Sequence, residues 1–254
     1  MTPIILADNR FRDATPVANL TATGYDVRRL CDDRAYTVWV GAGVSPHYIS
    51  VDCGAGKKAD ALGVIGHNFK TIGATLAVQA SDNGSDWSAI ASDIKPASDR
   101  AFLKTFDTAT HRYWRLAITG MSSAPRIGEV YLGERITVPM PPAPPYTPYT
   151  AEVEADTTVG KAGHILGSVI RHTRLAITAR FENLDRTWVF GTFQTFWETR
   201  AAKLLPWFWA WDLDAFSQHV FFVTAKDPAR WATPLSIHTL VDTLTLEMVG
   251  VMEA

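Results

Sequence analysis

The chain reads as mainly β in two domains, a β-sandwich followed by a mostly β domain with one helix. Three observations carry that reading: short segments alternating at period two and closed by turn residues, a proline run in mid-chain, and one switch to helical period after it. Six of the fourteen prolines lie between Pro139 and Pro148. Proline fixes φ and removes the N–H donor, so the run enters neither helix nor sheet and is expected as an extended spacer. This sets residues 1–138 as the first domain, 139–148 as linker and 149–254 as the second domain. A length of 254 residues also exceeds the usual size of one domain.

In the first domain, Leu76, Val78 and Ala80 separate from Thr75, Ala77 and Gln79 at period two, and Asp82-Asn83-Gly84 supplies the next turn. Tyr113, Arg115 and Ala117 alternate with Trp114, Leu116 and Ile118 in the same way. Short strands with frequent turn signals build a sandwich. Trp87, just after the turn, and Trp114, on an alternating strand, are both expected in its core.

In the second domain, Leu175, Ile177, Ala179 and Phe181 face one way and Arg174, Ala176, Thr178 and Arg180 the other, as in a half-buried strand. The period then changes. Val189, Phe190, Phe193, Phe196, Trp197 and Leu204 recur at helical spacing, with Asp185 placed to cap the N-terminus and Pro206 beyond the end. Three more strands are expected, around 207–211, 219–225 and 240–251.

A net charge of −2 and no long Lys/Arg block give no electrostatic footprint for nucleic acid, and none is expected as a partner. No stretch approaches the roughly 20 apolar residues of a membrane helix. The first residues, Met1 to Asp8, lack the basic and long apolar regions of a secretory signal. Cys31 and Cys53 cannot build a disulfide framework; they are expected reduced and packed, the alternative being one bond across neighbouring strands.

Four segments resemble a discoidin-type, galactose-binding-like domain: His47 to Gly54, Leu62 to Asn68, Thr75 to Trp87 and Arg112 to Ile118. The resemblance implies a jelly-roll β-sandwich used for recognition or adhesion, not catalysis. It also places His67 and Asn68 in a loop near one end of the sandwich, as candidate ligand contacts. Some members hold a structural calcium through a carboxylate of the last strand, and Glu129 is the residue here that carries over. The second half is similar to the tube-type, ring-forming domain of phage distal-tail and minor-tail proteins. The residues are Arg180-Phe181-Glu182-Asn183-Leu184, the helix with Phe193 and Trp197, and Leu204-Leu205-Pro206-Trp207-Phe208-Trp209. Here the ring-type domain comes second, whereas distal tail proteins usually place it first.

Together the two resemblances imply a structural protein of a phage or phage-like tail, at the distal tail or baseplate of the virion and assembled in the host cytoplasm. Its expected partners are its own copies in a hexameric or trimeric ring, then tail tube, tape measure and baseplate hub proteins, with a host-surface glycan as a further ligand. The alternative is a lectin-like protein whose primary role is glycan recognition.

Nothing in the sequence brings together a nucleophile, a base and an orienting group, and no metal or nucleotide motif occurs. No enzymatic activity, metal or cofactor is therefore expected. His164 and His172 lack a metal-ligand spacing. Six of the nine tryptophans lie between Trp188 and Trp231. Alternation puts Trp207, Trp209 and Trp211 on one side of a strand, which is expected to bury as an oligomer interface together with core.

Overall fold

The computed structural model describes residues 2–228 and 240–251, and Trp231 lies outside them. The fold is mainly β, and the strand pairings described within each unit are antiparallel. The chain divides into two compact units. The first holds Pro3–Val138 together with Phe208–Phe221, and the second holds Pro139–Trp207 and the chain from Phe222.

The first unit is a β-sandwich built on two long strands, His47–Ile65 and Phe102–Thr119. They pair along most of their length, from His47↔Ile118 to Val64↔Phe102, with register breaks between Asp52 and Lys57 and between Ala59 and Ala61. Such irregularities bend a strand and increase its twist. Beyond them, Ala61 to Ile65 also pair with Glu129–Gly133. On the other side, Thr75–Ser81 pairs with Phe102–Thr119 and with Ser88–Ile94. The alternation holds: Ile49, Val51, Leu76, Val78, Trp114, Leu116 and Ile118 join one apolar core. Ala117, expected on the outward side, is buried as well.

The first unit also claims a segment from far along the chain. Ile4–Leu6 pairs with Ile136–Thr137 on one edge and with Phe208 to Ala210 on the other. Phe208 then lies edge-on to Tyr131, with ring centroids 5.4 Å apart, and against Gly63. The stretch 208–221, expected in the second domain, therefore clusters with the first, because backbone pairing and aromatic packing tie it there.

In the second unit, Thr150–Val159 pairs with Ile165–Asp185, which pairs with Leu240–Val251, which pairs in turn with Val223 to Ala225. Leu175, Ile177, Ala179 and Phe181 are buried as their alternation requires. The expected helix runs from Arg186 to Lys203, and the Asp185 carboxylate accepts from the Trp188 N–H at 2.8 Å. Its middle, Val189–Phe193, is π-wound, which the spacing of apolar residues did not foretell. The proline run carries no helix or strand.

Candidate functional site

The outward face of the sandwich gathers the side chains best suited to ligand binding. Register sets Ser50 opposite Arg115 and Asp52 opposite Tyr113. It likewise sets Gln79 and Ser81 opposite Arg115 and Tyr113 on the other flank. Since alternate residues share a face, burying Ile49, Val51, Val78, Ala80, Trp114 and Leu116 turns Tyr48, Asp52, Gln79, Tyr113 and Arg115 outward.

Arg115 is the centre of this face. Its guanidinium carbon lies 4.2 Å from the Trp87 ring centroid and 4.6 Å from that of Tyr48. Its Nε donates to Gln79 Oε1 at 2.6 Å. Partial burial lowers its pKa, against the opposing influence of Tyr48. The terminal Nη groups have no protein acceptor among the described residues. The site thus holds an oriented cation with its donors still unspent.

Arg112 and Tyr113 extend the face. Arg112 lies over the Tyr113 ring at 4.8 Å and grips Asp52 through two bonds of 2.8 Å. Those bonds hold the Asp52 carboxyl down at about 2. The turn above Tyr113 needs a glycine. Gly84 has a φ of +75°, and a Cβ there would sit 3.3 Å from the Tyr113 ring. Asn83 Oδ1 braces the same turn by accepting from the N–H groups of Ser85 and Asp86, each at 2.9 Å.

This face corrects one expectation. Trp114 is fully buried, but Trp87 is half-exposed, outside the core cluster and packed on Arg115. Alternation cannot be carried through a turn, so the side Trp87 takes was not legible.

Of the candidate pair, His67 is buried and Asn68 is half-buried. His67 is 1% exposed and stacks on Phe69, with ring centroids 4.6 Å apart. Its Nε2 meets the Arg100 carbonyl at 2.9 Å, while Nδ1 accepts from the Phe69 N–H at 3.3 Å. Burial pushes its pKa down to about 4. Asn68 donates to the Ala124 carbonyl and accepts from the Arg126 N–H. Both residues spend their polar atoms tying loops together.

Trp207, Trp209 and Trp211 form no exposed stripe on the chain. The first two are fully buried and Trp211 is 6% exposed. The strand Trp207–Ala210 ends before Trp211, which leaves the alternation and stacks on Phe216 at 4.8 Å. Trp207 meets Phe196 edge-on at 5.0 Å. Packing inside the chain, not exposure, accounts for these indoles.

Glu129 is a buried carboxyl with an uncommitted oxygen. It is fully buried; Oε1 accepts from the Arg34 N–H at 3.0 Å, while Oε2 has no hydrogen-bond partner of normal geometry among the described residues. Burial first, then the charges of Asp33 and Asp32, push its pKa up to about 9. Calcium takes six to eight oxygens. The neighbouring carboxylates are already engaged, Asp32 by Thr37 and Asp33 by Tyr131. No group of three or more His, Cys, Asp or Glu able to hold a metal occurs among the described residues. The side chains alone do not make a calcium site. Cys31 and Cys53 are both free thiols, and burial pushes them up to about 12 and about 11. No helix among the described residues is long and apolar enough to cross a membrane.

No family model matches the chain. No curated protein matches it either. Among solved structures, about half the chain is similar to carbohydrate-binding modules. One, from Clostridium perfringens in complex with GalNAc-β-1,3-galactose, is 13% identical over 51% of this chain and 99% of that one, at a TM-score of 0.44. A chitosan-binding module from a Paenibacillus sp. IK-5 chitosanase/glucanase is 19% identical over 50% of this chain and 97% of that one, at 0.42. A pectin-binding module is 16% identical over 47% of this chain and 88% of that one, at 0.41.

Proposed function

We propose that the first unit recognises glycans through the outward platform centred on Arg115. The observation that supports this is the held guanidinium between Trp87 and Tyr48 with its Nη donors free. A pyranose ring has an apolar C–H face, which an aromatic ring covers, and a rim of hydroxyls, which guanidinium, amide and carboxylate groups hold. Tyr48, Trp87 and Tyr113 supply the first chemistry; Arg112, Arg115, Gln79 and Asp52 supply the second. Because Arg115 is already fixed, little side-chain entropy is lost on binding. The test is a glycan microarray probed with the full chain and with Arg115→Ala and Trp87→Ala. Each substitution is expected to weaken binding about tenfold or more, as loss of an interface anchor does. Failure of the wild-type chain to bind any glycan would remove this reading.

A second reading is a structural subunit of a phage or phage-like tail, with tail tube, tape measure or hub proteins as neighbours. What favours it is an exposed aliphatic ribbon in the second unit, formed by Thr150–Val159 and the start of Ile165–Asp185. Co-expression with candidate tail proteins, followed by co-purification, tests it.

A further inference from the structure

We infer that this ribbon is an assembly arm that pairs edge to edge with a second copy of the chain, head to tail. Thr150–Val159 and the residues from Ile165 to Thr173 form a two-stranded antiparallel ribbon. Leu240–Val251 covers the second strand only from Arg174 onward. Among the described residues, both outer edges of the ribbon beyond that point are unpaired. At the usual strand rise, the nine residues from 165 to 173 give roughly 30 Å of edge that is unpaired among the described residues.

The ribbon is also apolar where it should not be. Val153, Val159, Ile165, Leu166, Val169 and Ile170 are each between 55% and 71% exposed. Val169 and Ile170 are consecutive and in unbroken register, opposite Asp156 and Ala155, so aliphatic groups point to both faces. Two-stranded ribbons are marginal in water by themselves, and open edges invite another strand. A partner is needed to cover these side chains.

Charge selects which partner and in what order. The first strand carries Glu152, Glu154 and Asp156 with no Lys or Arg. The second carries Arg171, His172 and Arg174 with no Asp or Glu between Ile165 and Arg174. Within one copy these groups already face each other, as in Asp156 with Arg171 at 2.7 Å and Glu152 with Arg174 at 2.9 Å. A two-fold dimer would set acidic edge against acidic edge, or basic against basic, and like charges opposed across strands destabilise the pair. A head-to-tail contact sets the acidic edge of one copy on the basic edge of the next. Such heterologous contacts propagate, closing into a ring when the rotation allows.

Sedimentation velocity of the full chain over a range of concentrations tests this. The wild type should run as a species larger than a dimer. Val169→Asp combined with Ile170→Asp should run at the 28.0 kDa of one chain while keeping the wild-type far-ultraviolet circular dichroism. A charge-swapped variant isolates charge while keeping opposite signs facing each other inside each copy: it carries Glu152→Lys, Glu154→Lys and Asp156→Lys together with Arg171→Glu, His172→Glu and Arg174→Glu. It should assemble with itself but not with the wild type, and co-assembly with the wild type would point to a two-fold contact and overturn the inference. A wild type that is monomeric at every concentration, a species that stops at a dimer, or aspartate variants that still assemble would overturn the inference.

Discussion

The guanidinium of Arg115 sits 4.2 Å from the centre of the Trp87 ring, on the outward face of the sandwich. One residue along the same strand, Trp114 points the other way and is completely buried. The two tryptophans therefore do different work, one presenting a surface and the other filling a core.

Their substitutions should separate accordingly. Trp114→Ala removes a fully buried ring and is expected to cost about 3–5 kcal/mol in chemical denaturation. Trp87→Ala should cost on the order of 1 kcal/mol, the scale of an exposed cation–π contact. Equal losses would return Trp87 to the core.

Glu129 predicts an alkaline weakness. Its carboxyl is held up to about 9 in the fold against an ordinary value of 4.5, so the folded state keeps a proton that the unfolded state releases. That stability is whole at pH 4 and lost as pH rises toward 9. Thermal melts in a chelating buffer should show the wild type weakening over this range and Glu129→Gln holding level. Parallel curves would reject the assignment. In calcium, a wild-type midpoint that rises while Glu129→Gln does not move would place a cation on the carboxylate instead.

His67 predicts the opposite limb. Its pKa falls to about 4 through burial, so the unfolded state binds the proton first. Stability is full above about pH 6.5 and declines as pH falls toward 4. Replacing His67 with Gln, which cannot titrate, should flatten this acid limb, and an unchanged pH profile in denaturation would show that His67 does not set it.

The contact of Gly63 with Phe208 tests the make-up of the first unit. A Cβ at Gly63 would lie 2.7 Å from the Phe208 ring. Gly63→Ala is expected to cost about 1–3 kcal/mol by overpacking. Gly63→Ala combined with Phe208→Ala should cost less than the sum of the two single substitutions. A fragment of residues 1–138 should be less stable than the same fragment joined through a linker to 208–221. Equal stability would detach that segment from the sandwich.

What could be seen in the sequence was whatever local periodicity writes down. Leu175 to Phe181 and Trp114 to Ile118 each bury the side that their spacing marks, and the helix capped by Asp185 buries Val189, Phe193, Phe196 and Trp197 while Phe190 and Leu204 stay exposed. What could not be seen depends on distance along the chain. The pairing of Ile5 with Trp209 joins residues that share no local pattern, so the allegiance of 208–221 was hidden. The platform was hidden for a related reason. Tyr48, Gln79, Trp87 and Arg115 come from separate segments, and only the register of three strands and one turn brings them together. His67 and Asn68 were legible as a polar pair, but not the carbonyl and amide groups that would satisfy them.

Isothermal titration of the best microarray glycan into the wild type, Trp87→Ala, Arg115→Ala and the double variant tests the central claim most directly. If the two residues form one site, each single substitution removes most of the affinity and the double variant loses little more, because contacting residues couple. Wild-type affinity in both single variants would place the glycan elsewhere and contradict the account.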